Sequence, residues 1–481
     1  MTDVGLLSPG AHRGAAATDD TAVLQALLDA EAAWVAAQAG AGLAPAAAAD
    51  AARAAARAED YDAADLARRA EGGGNPVIPL LADYRRRLGR LDPDAVRFVH
   101  RGLTSQDVMD TAMMLVVRRA AEPLTRDLRA AQDALARLAD EHRGTVQAAR
   151  TLTQHALPTT FGLKAAGWLA GLQDLEEDLA ELARPPLACG GAAGTLAGTV
   201  ALFPGSPDAA QQALDLAGAW AGELGLDRPP HVWHTARRPV LRAAHAFAAV
   251  CAALGRIAND VLLLSRPELG ELREPAAAGR GVSSAMPQKQ NPVLSVLLKR
   301  TALTAPQLVA QLHVAAAAVV DERPDGAWHA EWPALRELAR LAVAASSHAA
   351  ELTAGLGVDA SRMRAHLEAS GPGVLAERIS AALAPLLPPA ADGSTGAQQV
   401  QAAVREHATD RQALEEALLR LAAGTTLPDG TPVDGTTVAG LLEPTGYLGA
   451  HDLLIDRVLE RHRRTAGSPP PAARPTPGAP A

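Results

Sequence analysis

The sequence is poor in lysine, cysteine, isoleucine and aromatic residues, and each scarcity narrows what it encodes. Lysine occurs only at Lys164, Lys289 and Lys299, so 42 of the 45 basic residues are Arg. A preference for Arg over Lys accompanies an Ala-rich composition, and the bias alone explains the count. With a formal charge of −9, the chain lacks the clustered positive field that nucleic acids or anionic membranes require. A small anionic ligand needs only local cations and stays compatible. Cys189 and Cys251 support neither a disulfide framework nor a cysteine zinc site, so a reducing cytoplasm and two buried thiols are expected. The opening MTDVGLLSPGAHRG has no basic stretch leading into an apolar one, and no export signal is expected. The uncharged run over 32–49 reaches membrane length but holds Gln38, two glycines and Pro45, which reads as a helical hairpin of a soluble protein.

What is present is helical. At 481 residues and 48% hydrophobic, the chain suffices for two or three domains. Leu169, Leu172, Leu175, Leu179 and Leu182 recur three or four apart, placing them on one stripe that opens after Pro158 and stops at Pro185. Similar stretches predict helices over about 111–142, 237–264, 292–320 and 333–352, enough for an all-α bundle. With four Ile and little strict alternation, strands are not expected beyond a small hairpin over Thr425 to Val438. Gly, Pro and polar residues break the pattern near 72–76, 185–207, 267–292 and 371–373, and the Pro- and Ala-rich end, 466–481, reads as a disordered tail.

The segment Gly279 to Pro292, GRGVSSAMPQKQNP, cannot be a helix interior, and its polar groups lie between two long apolar stretches. A serine hydroxyl acts as a base only where donors and cations lower its pKa. Lys289 is such a cation, and Asn291 offers an amide to a developing oxyanion as well as an N-cap for the next helix. On composition alone, a surface loop with a capping Asn explains the same residues. The segment Gly190 to Thr195, GGAAGT, lacks the Gly-Lys-Ser/Thr of a phosphate loop. His329 and Glu331 lack a third ligand at helical spacing, so no metal site is expected and both are assigned to the bundle interior.

Ser283-Ser284-Ala285-Met286-Pro287-Gln288-Lys289-Gln290-Asn291-Pro292 closely resembles the signature loop of the fumarase, aspartase and argininosuccinate lyase superfamily, with Val282 in place of the usual Gly. Two further segments agree. His100 to Asp107, HRGLTSQD, resembles the HxGxTSxD region, and Arg150 to Gly162, RTLTQHALPTTFG, resembles RTHxQxAxPTTFG. In the second, Leu152 stands where fumarases and adenylosuccinate lyases carry a catalytic His. Bacterial 3-carboxy-cis,cis-muconate cycloisomerases form the branch with an apolar residue there. Glu274 to Gly281, Gly190 to Ala197, Ala327 to Trp332 and Tyr447 to Ala450 resemble that branch too. His234-Thr235-Ala236-Arg237-Arg238 departs from the HTQRD common among relatives. The resemblance spans residues 15 to 462 or so.

It implies an all-α, fumarase/aspartase-like chain of three domains, 1–110, 111–360 and 361–465, whose central long-helix bundle forms a tetramer core with sites shared between subunits. It also implies the conversion of 3-carboxy-cis,cis-muconate to 4-carboxymuconolactone through an aci-carboxylate, with no cofactor or metal and with a small tricarboxylate as substrate. Ser283 would transfer the proton, and Lys289 and Asn291 would stabilise the dianionic intermediate. His100, Thr104, Ser105, Thr151, Gln154, Arg237 and Ser284 would hold the substrate. An adenylosuccinate or argininosuccinate lyase-type C–N lyase, another lactonising or eliminating enzyme on the same scaffold, and a helical assembly protein without activity are the alternatives. Lysine suits position 289 because a compact ammonium fits beside a small enediolate where a planar guanidinium does not.

Overall fold

A computed structural model describes residues 5–229 and 231–466; residues 467–481 of the expected tail lie outside them. Four long helices, Ser105–Glu141, Arg238–Leu264, Val293–Ala317 and Gly326–Ala354, pack on one another as the central bundle. The first begins six residues before the expected start because Thr104 is its N-cap and Asp107 returns to accept from the Thr104 backbone N–H at 2.8 Å. The last also starts early, capped by Asp325, with Pro333 inside the helix.

Buried Leu115, Phe247, Leu254, Leu298 and Leu338 fill the bundle, each stabilising by about 1.5–3 kcal/mol relative to exposure. Small residues set the spacing. A Cβ at Gly255 would lie 2.3 Å from the Ala302 Cβ, so the helices approach closely only because that position is Gly. The Arg238–Leu264 helix is long and apolar enough to cross a membrane, and half of its most apolar window is buried inside the protein.

Before the bundle, the uncharged run forms the expected helical hairpin, with Asp20–Gly40 turning into Ala46–Ala55. Trp34 and Trp220, both fully buried, meet edge to face at 5.2 Å and fix the Ala209–Leu224 helix on that pair. The leucine stripe is divided between Phe161–Gln173 and Glu176–Ala183, yet all five leucines are buried. A second, smaller apolar core holds Leu375, Ile379, Val400, Leu414 and Val438. The final helix, His451–Ala466, does not join it. Ile455 and Leu459 return to the main core.

The strand expectation needs correction. Thr425 to Val438 does turn back on itself as a small hairpin, with one antiparallel bridge, Thr426 to Pro432, around a turn at Asp429-Gly430, but it is not alone. A longer hairpin lies elsewhere, where Val146–Thr151 pairs antiparallel with Gln154–Thr160 through a register irregularity between Ala148 and Arg150. Its tip is the two-residue turn Leu152-Thr153, with φ values of 49° and 70°. Such turns favour Asn-Gly because both residues are left-handed.

Candidate active site

The HRGLTSQD segment is held by its buried aspartate. Asp107 is 0% exposed and accepts hydrogen bonds from Thr104 N at 2.8 Å, Gly190 N at 2.7 Å, Gly191 N at 3.1 Å and His234 Nε2 at 2.8 Å. One carboxylate therefore joins three matched motifs. Glycine is required in this corner, because a Cβ at Gly102 would come within 3.0 Å of the Gly198 backbone at a φ of +82°.

Thr104 and Ser105 present their hydroxyls to a residue that sequence reasoning missed. Arg323 donates to Thr104 Oγ1 at 2.9 Å, to Gln106 Oε1 at 3.3 Å and to Ser105 Oγ at 3.4 Å. Among the described residues it has no carboxylate within ion-pair distance, so its positive charge is uncompensated beside two hydroxyls. The signal in the sequence was faint: one Arg within Asp321-Glu322-Arg323-Pro324-Asp325. His100 adopts a φ of 59°, and its Nδ1 lies 2.6 Å from Oε1 of the buried Glu31.

Arg237 does not serve as expected. It is 3% exposed, and its guanidinium donates to both Glu331 oxygens at 2.6–3.1 Å and to both Asp110 oxygens at 2.8 and 2.9 Å. Trp328 Nε1 adds a further bond to Asp110 at 2.8 Å. Burial works to lower its pKa, but Asp110 and Glu331 outweigh that and raise it. Burial holds Glu331 above the usual carboxylate range even with Arg237 beside it. Arg237 is a structural cation within the bundle; its donors face protein carboxylates, leaving no fork for a substrate. Glu331 is interior, as expected, whereas His329 is exposed and contacts the backbone carbonyls of Gly74 and Asp325.

Thr151 and Gln154 flank the hairpin tip and are exposed, and Leu152 is 95% exposed. Two consecutive left-handed residues without glycine, one an exposed leucine, are costly locally. One residue before that tip segment, Arg150 pairs with Glu271, a fully buried carboxylate also bonded to His366 Nδ1 at 2.7 Å. Burial pushes Glu271 up, yet Arg150 and His366 leave it below its ordinary range.

The signature segment is an exposed loop closed at its neck. Asn291 N and Nδ2 both donate to the Gly281 carbonyl, at 2.9 and 3.1 Å, while Val282 bridges Gln290. Gly281 must be glycine, because a Cβ would lie 2.6 Å from the Asn291 carbonyl oxygen. Asn291 is therefore a latch and not the expected N-cap. Glu274 caps the following helix instead, accepting from Leu294 N at 3.0 Å and Ser295 N at 2.7 Å. Ser283 Oγ accepts from Met286 N at 3.1 Å and Ala285 N at 3.4 Å, donors that also stabilise an alkoxide. Ser284 and Lys289 are exposed on the same loop.

Among the described residues, no hydrogen bond or ion pair joins the side chains of 100–107, 151–154 and 283–291 to one another. Each segment is ordered separately within the chain. No group of three His, Cys, Asp or Glu side chains among the described residues is placed to hold a metal.

A family model described as Lyase matches residues 14–305. A nitrosuccinate lyase from Streptomyces davaonensis is 45% identical over 465 residues, covering 95% of each chain. A 3-carboxy-cis,cis-muconate cycloisomerase from Bradyrhizobium diazoefficiens is 40% identical over 463 residues, covering 95% of this chain and 97% of that one. The crystal structure of the 3-carboxy-cis,cis-muconate lactonizing enzyme from Pseudomonas putida superimposes with a TM-score of 0.81 at 34% identity, over 93% of this chain and 96% of that one.

Proposed function

Because this chain belongs to the lyase family, within the fumarase, aspartase and argininosuccinate lyase superfamily, we propose that it forms and breaks a bond β to a carboxylate by means of a single proton-transfer group, and that its reaction is the lactonisation of 3-carboxy-cis,cis-muconate. Leu152 at the hairpin tip carries the reading. Water or an amine added across such a bond leaves in the reverse direction as hydroxide or a basic amine, and needs an acid to protonate it. A carboxylate leaves as a stable anion, so a tip without an acid suffices. The same argument counts against adenylosuccinate or argininosuccinate lyase-type chemistry.

In the lactonising direction, one carboxylate of the substrate attacks the double bond within the same molecule. The C–O bond forms, negative charge moves into the neighbouring carboxylate as an enediolate, and Ser283 delivers a proton to the adjacent carbon. Solvent then reprotonates Ser283, so a trianion becomes a lactone dicarboxylate with net uptake of one proton. Because nucleophile and electrophile share one molecule, orientation supplies much of the gain. Arg323, Thr104, Ser105 and His100 are the carboxylate anchors in this scheme, and Lys289 with the loop N–H groups stabilises the enediolate. Loss of one such preorganised donor costs about 3–4 kcal/mol of barrier. Thr151 and Gln154 act from the hairpin, and Ser284 from the loop.

The sites are shared between copies in a homotetramer. Two observations support this: the exposed hairpin tip, and an uncovered stripe of Val296, Leu303, Ala310, Val314 and Ala317 along the Val293–Ala317 helix. Residues three, four or seven apart form one face, and an apolar face of this kind seeks another helix. A cytoplasmic location belongs to the same reading.

The 45% identity to a nitrosuccinate lyase favours a second reading, elimination of nitrite from nitrosuccinate. Nitrite is also a weakly basic anion, so Leu152 is equally compatible with it. Mixing purified protein with 3-carboxymuconate and following loss of the diene absorbance tests the first reading, with Ser283→Ala as control. Nitrite release from nitrosuccinate without diene loss would replace it with the second.

A further inference from the structure

We propose that the cavity of about 900 Å³ between the hairpin and the C-terminal helices is a binding site for a small mono- or dicarboxylate, taken up together with one proton on His155. This inference does not depend on which reaction the chain catalyses. Thr153, Gln154 and His155 line the hairpin side, and Ser370, Gln401 and Arg405 face them.

The hydrogen-bond directions set the chemistry. Ser370 Oγ donates its proton to the His366 carbonyl at 2.8 Å, so it offers only lone pairs to His155 Nδ1, 2.6 Å away. Nδ1 therefore carries the hydrogen, and Nε2 of the neutral ring is an acceptor. Among the described residues Nε2 has no hydrogen-bond partner. Burial of the ring and the charge of Arg150 hold His155 below the ordinary histidine range; His366 acts in the same sense and Glu271 opposes. The cavity thus faces a neutral imidazole.

Arg405, in the last turn of the Gly396–Glu406 helix, has no carboxylate within ion-pair distance among the described residues. Apart from Gln154, already assigned to the substrate, the cavity combines the Arg405 guanidinium, the Gln401 amide and a basic ring nitrogen. A carboxylate satisfies all of these groups. Its charge pairs with Arg405 and favours the imidazolium form of His155, so binding draws a proton from solvent. Glu377 also lines the cavity. Its negative charge disfavours a tricarboxylate and separates this ligand class from the proposed substrate.

Titration calorimetry of the full-length protein with succinate at pH 7, in phosphate and in Tris, tests the proposal. The buffers differ in ionisation enthalpy, so proton uptake appears as a buffer-dependent heat. Expected are uptake of one proton in the wild type, an affinity at least tenfold weaker in Arg405→Gln, loss of the buffer dependence in His155→Gln, and unchanged cavity binding in Arg323→Gln. Three results would each overturn it: no binding at millimolar succinate, unaltered affinity in Arg405→Gln, or loss of the binding in Arg323→Gln instead.

Discussion

Replacing Arg237 by Leu separates a structural cation from a substrate ligand. Asp110 and Glu331 are each 2% exposed, and the guanidinium lies between them with every donor nitrogen engaged. Without it, two buried carboxylates face each other with, among the described residues, only Trp328 and Gln106 as remaining side-chain donors. Breaking a buried pair in this way costs about 3–5 kcal/mol. An unfolding entropy near 2 cal/mol/K per residue makes this about 3–5 °C of Tm for a chain of this size unfolding as one unit. Differential scanning fluorimetry at pH 7 measures it. The double variant Arg237→Leu/Glu331→Gln should recover part of the loss, since it removes one of the opposed charges. A Tm unchanged in Arg237→Leu, together with a KM raised many-fold, would refute the structural assignment and return Arg237 to the substrate.

Arg323→Gln should leave Tm unchanged and raise KM about 10–100-fold, the value of a lost charged hydrogen bond of about 1.5–3 kcal/mol; steady-state kinetics check it. Gly281→Ala forces a Cβ to within 2.6 Å of the Asn291 carbonyl oxygen, and kcat should fall about 5–160-fold for a strain of ~1–3 kcal/mol, with far-ultraviolet circular dichroism unaltered. Leu152→Asn with Thr153→Gly relieves two left-handed residues of about 1 kcal/mol each, so hydrogen exchange at the hairpin should slow while turnover drops. His348 is buried, and burial, helped by Arg13, lowers its pKa to about 4. Its contribution to stability is complete above pH ~6.5 and is lost as the pH falls toward about 4, a difference on the order of 3 kcal/mol. Urea denaturation from pH 7 to pH 4 should show that decline, and His348→Gln should flatten it.

The helices were legible because burial writes itself into a three-to-four spacing, and the leucine stripe from Leu169 to Leu182 is buried in full even though the chain breaks at Asp174. Their starts were less legible. The Gly326 helix carries Pro333 within it, and the capping Asp325 gave no periodic signal. The hairpin over 146–160 escaped because its register slips near Ala148 and its tip holds Leu and Thr where turn chemistry predicts Asn and Gly. The signature segment was recognisable as a loop, but a residue string cannot say that Asn291 turns back to Gly281 while Glu274 caps the helix. The burial of Arg237 between carboxylates and the place of Arg323 beside Thr104 and Ser105 escaped for a related reason. Asp110 lies 127 residues from Arg237, and Thr104 lies 219 from Arg323. Only the fold determines which arginine meets carboxylates and which is left with hydroxyls.

The central claim is that a leucine-tipped site acts only where the departing group is a stable anion. Parallel assays of the wild-type protein with 3-carboxymuconate, nitrosuccinate, adenylosuccinate and argininosuccinate test it most directly. The account predicts turnover of at least one of the first two, lost in Ser283→Ala, and none of the last two. Release of an amine product from adenylosuccinate or argininosuccinate by the protein with Leu152 in place would contradict it.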